Sequence, residues 1–174
     1  MDASTDHRFQ PLNEGWFRLL HLEPHENTEA PISCSLISCP ILADTPGTRR
    51  YGAPSYTWGS SRKEKTIILD NNALSVTENL HTALVYLRDP FDARTLWVDA
   101  VCIDQADLEE RRQQVQAMAA IYNTASRVVM WLGEEDESSK QPGCLRRIWA
   151  YEISFFVPNP ELWLICPELP LILP

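Results

Sequence analysis

Hydrophobic residues along this chain change spacing from one stretch to the next, and the spacing predicts the elements. In "TENLHTALVYLR" (77–88), Leu80, Ala83, Leu84 and Leu87 recur at three- and four-residue intervals and fall on one helical face, with Thr77 placed to cap the start. A second helix is expected over 107–123, with Leu108, Val115, Met118, Ala119 and Tyr122 as its apolar face. Asp107 followed by Glu110 resembles a capping box there, and Asn123 supplies a stop. "GWFRLLHLEP" (15–24) and "ISCSLISC" (32–39) carry apolar residues at short spacing and read as strands. So does "YGAPSYTWG" (51–59), ended by Gly59, with Tyr56 and Trp58 on one face and Ser55 and Thr57 on the other. "KTIILDNNALSV" (65–76) reads as a hairpin, because Asp70-Asn71-Asn72 accept the left-handed backbone of a tight turn.

The run 96–103, "LWVDAVCI", is almost continuously apolar, as a parallel strand covered on both faces should be. "RVVMWLG" (127–133) is a second short β-branched run. Strand 96–103, helix 107–123 and strand 127–132 then form a βαβ unit whose parallel strands are adjacent or nearly so. The expected fold class is α/β: a single domain with a mainly parallel sheet flanked by helices, plus an N-terminal strand and hairpin region. Residues 1–15 read as a loose N-terminus, 16–134 as the domain (with 42–50 a loop on its Pro-Gly pair) and 135–143 as an acidic linker. The remainder, 144–174, diverges. "CLRRIWAYEISFF" (144–156) suits a helix, whereas "VPNPELWLICPELPLILP" carries five prolines, too dense for a helix or an interior strand. Apolar residues in such number without regular structure need a groove, on this chain or another.

Composition narrows the classes. A length of 174 residues suits one domain with a real core, and 44% hydrophobic residues with six tryptophans is ordinary for a globular chain. A net charge of −9 argues against a nucleic-acid or anionic-membrane binder, which needs an excess of Lys and Arg. Five cysteines without a regular framework fit reduced thiols. The start lacks the basic and apolar regions of a secretory signal, and no apolar run reaches the ~18 residues of a membrane span. The expected setting is cytoplasmic.

Chemistry gathers around the apolar run. Asp99 inside it must be paired, hydrogen-bonded or protonated, because burying a lone carboxylate costs several kcal/mol. It reads either as a brace bonded to amides or an arginine, or as a ligand-facing acid. Asp104 and Gln105 stand where open α/β sheets bind ligands, beyond the carboxyl ends of strands, although Asp there is also turn chemistry. Glu110 reads as a first-turn carboxylate that complements the helix dipole and bonds the cap amide, or as a charge beside a developing oxocarbenium ion. Gln at 110 would preserve the first role and abolish the second. Cys102 reads as a small buried residue rather than a nucleophile, since a thiolate needs a nearby base or cation. His21, His25, Cys34 and Cys39 make a poor zinc set, with Pro24 interrupting the histidines and no CxxC. Neither GxGxxG nor GxxxxGK[ST] occurs.

Three stretches together resemble the fungal heterokaryon incompatibility (HET) domain: "YGAPSYTWGS" (51–60), "VTENLHTALVYLR" (76–88) and "LWVDAVCIDQADLEERRQQVQAMAAIYNTASRVVMWLGE" (96–134). The family's conserved positions fall on Tyr56, Trp58, Gly59, Asp99, Cys102, Gln105, Glu110, Arg111, Gln114 and Trp131. Pro54 departs from the family's leucine and removes a backbone donor inside a strand, and Asp104 replaces the commoner Asn. Family proteins are much longer, so the chain looks short or truncated. The resemblance implies a role in non-self recognition ending in programmed cell death, through protein partners or self-association. It also implies a distant likeness to Toll/interleukin-1 receptor (TIR) domains. On that likeness no cofactor is certain, NAD is a candidate substrate, Glu110 or Asp104 would stabilise the ribosyl cation, and Tyr56 or Trp58 would stack on a base. A third reading is an inactive fragment that modulates relatives by co-assembly.

Overall fold

A computed structural model describes residues 9–41, 50–57, 62–131 and 151–153. The expected loose start at 1–8, the loop 42–49, Trp58 and Gly59, the acidic linker and nearly all of the C-terminal stretch lie outside the described residues.

Strand β1 (Trp16–Leu22) pairs antiparallel with β2 (Ser33–Pro40) from Trp16↔Pro40 to Leu22↔Cys34. Strands β4 (Lys65–Leu69) and β5 (Asn72–Val76) form the expected hairpin. Its two turn residues, Asp70 at φ 48° and Asn71 at φ 64°, take the left-handed backbone that residues of this kind tolerate best after glycine. Asn72 already belongs to β5. Strand β3 (Gly52–Tyr56) and the short β6 (Arg94–Leu96) and β7 (Arg127–Trp131) complete the centre, and β8 (Tyr151–Ile153) pairs antiparallel with β7. Among the described residues, the sheet has eight strands in the order β5-β4-β2-β1-β6-β3-β7-β8.

This sheet is mixed, which corrects the expectation of a mainly parallel one. Parallel pairing is confined to β6-β3-β7 and to β2-β4, and the other four pairings are antiparallel. Parallel neighbours need crossover connections long enough to return the chain, while the short connections between β1 and β2 and between β4 and β5 suit antiparallel neighbours. Two further expectations change. Residues 151–153 are strand rather than helix. The apolar run 96–103 is not one strand: β6 stops at Leu96, and Asp99–Cys102 coil into a single helical turn, α2. Val98, Val101 and Cys102 are all buried, at the three- and four-residue spacing of a helix, so a continuous apolar run conceals a change of element.

Helix α1 (Glu78–Leu87) joins β5 to β6, and α3 (Leu108–Thr124) lies in the crossover from β6 to β7. Strands β6 and β7 are parallel with β3 between them, the near-adjacent arrangement that the βαβ reading requires. Thr77 caps α1 by accepting from the Leu80 amide at 3.3 Å, and the four apolar residues read from its sequence are its buried face. At its far end the Arg88 guanidinium donates to the carbonyls of Asn27, Thr28, Ala30 and Pro31 at 2.9–3.1 Å, tying the β1–β2 connection to the helix. Pro54 is tolerated inside β3 for a geometric reason. The Gly52 carbonyl faces β6, accepting from the Trp97 amide, and two residues on Pro54 faces the same way, where β6 has already ended. Its carbonyl accepts instead from the Tyr122 hydroxyl at 3.3 Å, and pairing with β7 runs unbroken through Pro54↔Val129.

Candidate functional site

The carboxyl ends of β3, β6 and β7 form one rim, and α2 is the first structure beyond it. Asp99 opens α2; its Oδ1 accepts from the Tyr56 hydroxyl at 3.0 Å and from the Ala100 amide at 2.7 Å. Its backbone carbonyl accepts from the Gln105 side-chain amide at 3.1 Å. Burial, with the Asp99 charge adding to it, raises the Tyr56 phenol well above its ordinary value, so Tyr56 is a hydroxyl donor at any ordinary pH. Burial likewise pushes the Cys102 thiol up to about 12, which keeps it a protonated thiol and a poor nucleophile at neutral pH. Asp104 follows, with Oδ1 accepting from the Ala106 amide at 3.0 Å in a turn that leads to the Asp107 cap.

Beneath this turn lies an ion pair. Arg18, on β1, is 2% exposed, and Glu110, in the first turn of α3, is 9% exposed. The guanidinium Nη1 donates to Glu110 Oε1 at 2.5 Å and Nη2 to Oε2 at 2.9 Å, the bidentate geometry in which this pairing is strongest. Arg18 also donates to the carbonyls of Cys102 and Gln10, and its charge lies 4.9 Å from the centre of the Phe9 ring. Glu110 Oε1 accepts additionally from the Asp104 amide at 2.7 Å. One turn further on, the buried Gln114 donates to the Trp16 carbonyl at 2.8 Å. The expected capping box is therefore only half formed. Asp107 accepts from the Glu109 and Glu110 amides, but Glu110 reaches inward to Arg18 and Asp104 instead of back to its own cap.

This pair turns α3 over. Its buried face is Glu110, Gln114 and Ile121, with Ala117 and Met118 packed partly against the core. The apolar face read from the sequence points largely outward: Leu108 is 68% and Val115 is 55% exposed, and Ala119 is exposed too. Only Met118 and Tyr122 from that set are partly buried, Tyr122 edge-on to Trp97 with ring centres 5.2 Å apart.

At the other side of the rim, Trp131 ends β7. Its indole N–H donates to Asn79 Oδ1 at 3.0 Å and its ring lies 5.0 Å from that of Tyr86, both on α1. Asn79 in turn donates to the Thr57 carbonyl, fixing the end of β3. Of the residues expected at the site, Tyr56, Asp99 and Gln105 form one hydrogen-bonded group, Arg18 gathers Glu110, the Cys102 carbonyl and, through Glu110, the Asp104 amide into a second, and Gln114 bonds the Trp16 carbonyl beside it. Trp131 sits across β3 from these groups, and Arg111 is exposed on α3. Sequence reading missed Arg18. The signal was available, since Arg18 is a charge inside the apolar strand "WFRLLHL" just as Asp99 is a charge inside its own run. Among the described residues, no three His, Cys, Asp or Glu side chains gather as metal ligands, and no helix is long and apolar enough to cross a membrane.

Comparison with known proteins bears on the chain as a whole. Residues 51–155 match a family described as heterokaryon incompatibility protein (HET). Heterokaryon incompatibility protein 6, OR allele, of Neurospora crassa is 34% identical over 137 residues, covering 71% of this chain and 20% of that protein. The chain thus matches about a fifth of the length of that curated relative. No solved structure matches.

Proposed function

The chain belongs to the heterokaryon incompatibility family, and we propose that it serves as the interaction module of a fungal non-self recognition response that ends in programmed cell death. Its partners in this reading are proteins, relatives or further copies, and its setting is the cytoplasm. The observation that carries it is the inverted α3. Polar Glu110 and Gln114 face the core while Leu108, Val115 and Ala119 face out, so a helix is held with its apolar stripe available to a partner.

A second reading, TIR-like cleavage of NAD, draws support from the Tyr56–Asp99 pair and the Gln105 side chain beyond the parallel strand ends. In it the acid falls to Asp99 or Asp104, because both Glu110 oxygens already accept from Arg18 and Asp104. Induced expression in a filamentous fungus separates the readings. Val115→Glu should abolish hyphal death at unchanged protein abundance, with no nicotinamide released from NAD by the purified wild type. Undiminished killing by Val115→Glu would sink the module reading, and turnover of NAD would favour the second.

A further inference from the structure

Among the described residues, the two most exposed large apolar side chains are Phe91, at 74%, in the turn between α1 and β6, and Leu108, at 68%, on α3. They stand in patches of opposite charge. Leu108, Val115 and Ala119 recur at seven- and four-residue steps along α3 and form a stripe ~16 Å long. From Arg111 to Thr124 the helix carries two arginines and no acid. Arg112 is paired with Glu109 at 2.6 Å, whereas the exposed Arg111 has no side-chain ion pair or hydrogen bond among the described residues. The stripe therefore suits an apolar group that brings a carboxylate.

Phe91 has that setting. Beside it Asp92 is exposed, and its side chain likewise has no partner among the described residues. Glu26 and Glu29 are exposed on the β1–β2 connection, which Arg88 and a 3.1 Å bond from the His25 amide to the Asp89 carbonyl hold at the same end. The cations beside the turn are engaged, Arg88 by backbone carbonyls and Arg94 by Asp89 at 3.1 Å. Asp89 Oδ1 accepts from the Phe91 and Asp92 amides at 3.0 and 3.1 Å, so the ring is presented on a braced turn and loses little freedom on docking. Within one copy the two patches do not meet. Phe91 precedes β6 and Leu108 follows it, which sets them towards opposite ends of the parallel strands. A stripe against a second stripe would bring arginines together.

We propose that the chain assembles head to tail. The Phe91 turn of one copy docks on α3 of the next, its ring between Leu108 and Val115, which are two turns and ~10 Å apart, and its Asp92 against Arg111. The inference rests on α3 being the docking face and names the occupant as a second copy. Because the two patches differ, the contact is heterologous: a dimer keeps one free patch of each kind, and growth continues. In the dilute monomer both patches stand in solvent.

Sedimentation velocity of the full chain tests this. The average mass of the wild type should rise past that of a dimer as concentration increases. Phe91→Ala and Val115→Glu should each stay monomeric, at unchanged melting temperatures because both positions are exposed. Mixed in equal amounts they should form a dimer and nothing larger, since each retains the patch that the other lacks. Asp92→Arg should weaken association by about threefold or more, and adding Arg111→Glu should restore most of it. A wild type that stays monomeric, undiminished assembly of Phe91→Ala, or a mixture that stays monomeric would each overturn the proposal. The mass reads the contact and hyphal death reads the function, so the two can fail separately. A monomeric wild type whose killing is still abolished by Val115→Glu would remove this contact and leave α3 to a foreign partner. Assembly as expected, with killing undiminished by Val115→Glu, would uphold the contact and remove its role in death.

Discussion

The two long helices follow opposite rules. In α1 the apolar residues Leu80, Ala83, Leu84 and Leu87 are the buried ones, and the helix sits where the hydrophobic effect alone would put it. In α3 a carboxylate and an amide are buried while Leu108 and Val115 stand in solvent. The difference lies in β1. Its Arg18 brings a cation into the core, and a buried cation without a counter-charge costs several kcal/mol. Presenting Glu110 to that cation fixes the rotation of α3 and leaves the apolar stripe outside. Periodicity predicts an orientation only where no buried charge outweighs it.

Breaking the pair should have the largest effect. Glu110→Gln keeps the shape but leaves the Arg18 guanidinium buried without its charge partner, and removing one side of such a pair costs about 3–5 kcal/mol. Urea denaturation reads this directly. Replacing both partners by methionine should recover at least half of the loss, because no charge is then buried. A cost below about 1 kcal/mol for Glu110→Gln would mean that the ion pair does not hold α3 in place. Since the stability loss alone would lower any activity, Glu110→Gln is a poor probe of catalysis.

A sharper form of the comparison uses apolar truncations on the two helices. Leu84→Ala, in the fully buried face of α1, should cost about 3 kcal/mol through lost burial and the cavity left behind. Val115→Ala on α3 should stay within about 0.5 kcal/mol, as exposed substitutions do. The Leu-to-Ala change removes more atoms, but size alone leaves the ratio far from sixfold. Equal costs by thermal unfolding would mean that Val115 is already covered in the isolated chain.

What was legible in the sequence follows from the range of each interaction. The Asp70-Asn71 turn and the Thr77 cap are decided by residues within a few positions, and both were readable. The sheet order was not, because whether β1 lies beside β6 depends on partners more than seventy residues apart. The run 96–103 misled for another reason: a strand and a buried helical turn both require apolar residues there, so the pattern could not separate them. At the site, the acids were found and the pairing was not. Asp99, Asp104 and Glu110 stand out by position, but the residue that decides what Glu110 does is Arg18, 92 positions away.

The smallest effect concerns the solvent side of α1, where charge acts without deciding the packing. Burial lowers the His81 pKa below its ordinary value, and the cations of Lys65 on β4 and Arg88 at the helix end lower it further, against a small opposing pull from Glu78. The folded state therefore binds this proton less readily than the unfolded chain. Stability must fall as pH drops through 6.5 towards the lower folded value, and it is unaffected by this group above 6.5. Glutamine at 81 carries no titrating proton, so His81→Gln should flatten the melting-temperature profile between pH 7.5 and 5 while leaving the upper end nearly unchanged. Identical slopes for the two proteins would move the acid sensitivity away from α1. Screening at this half-exposed position keeps the expected difference small beside that of Glu110, as it should be if buried charge rather than surface charge sets the orientation of these helices.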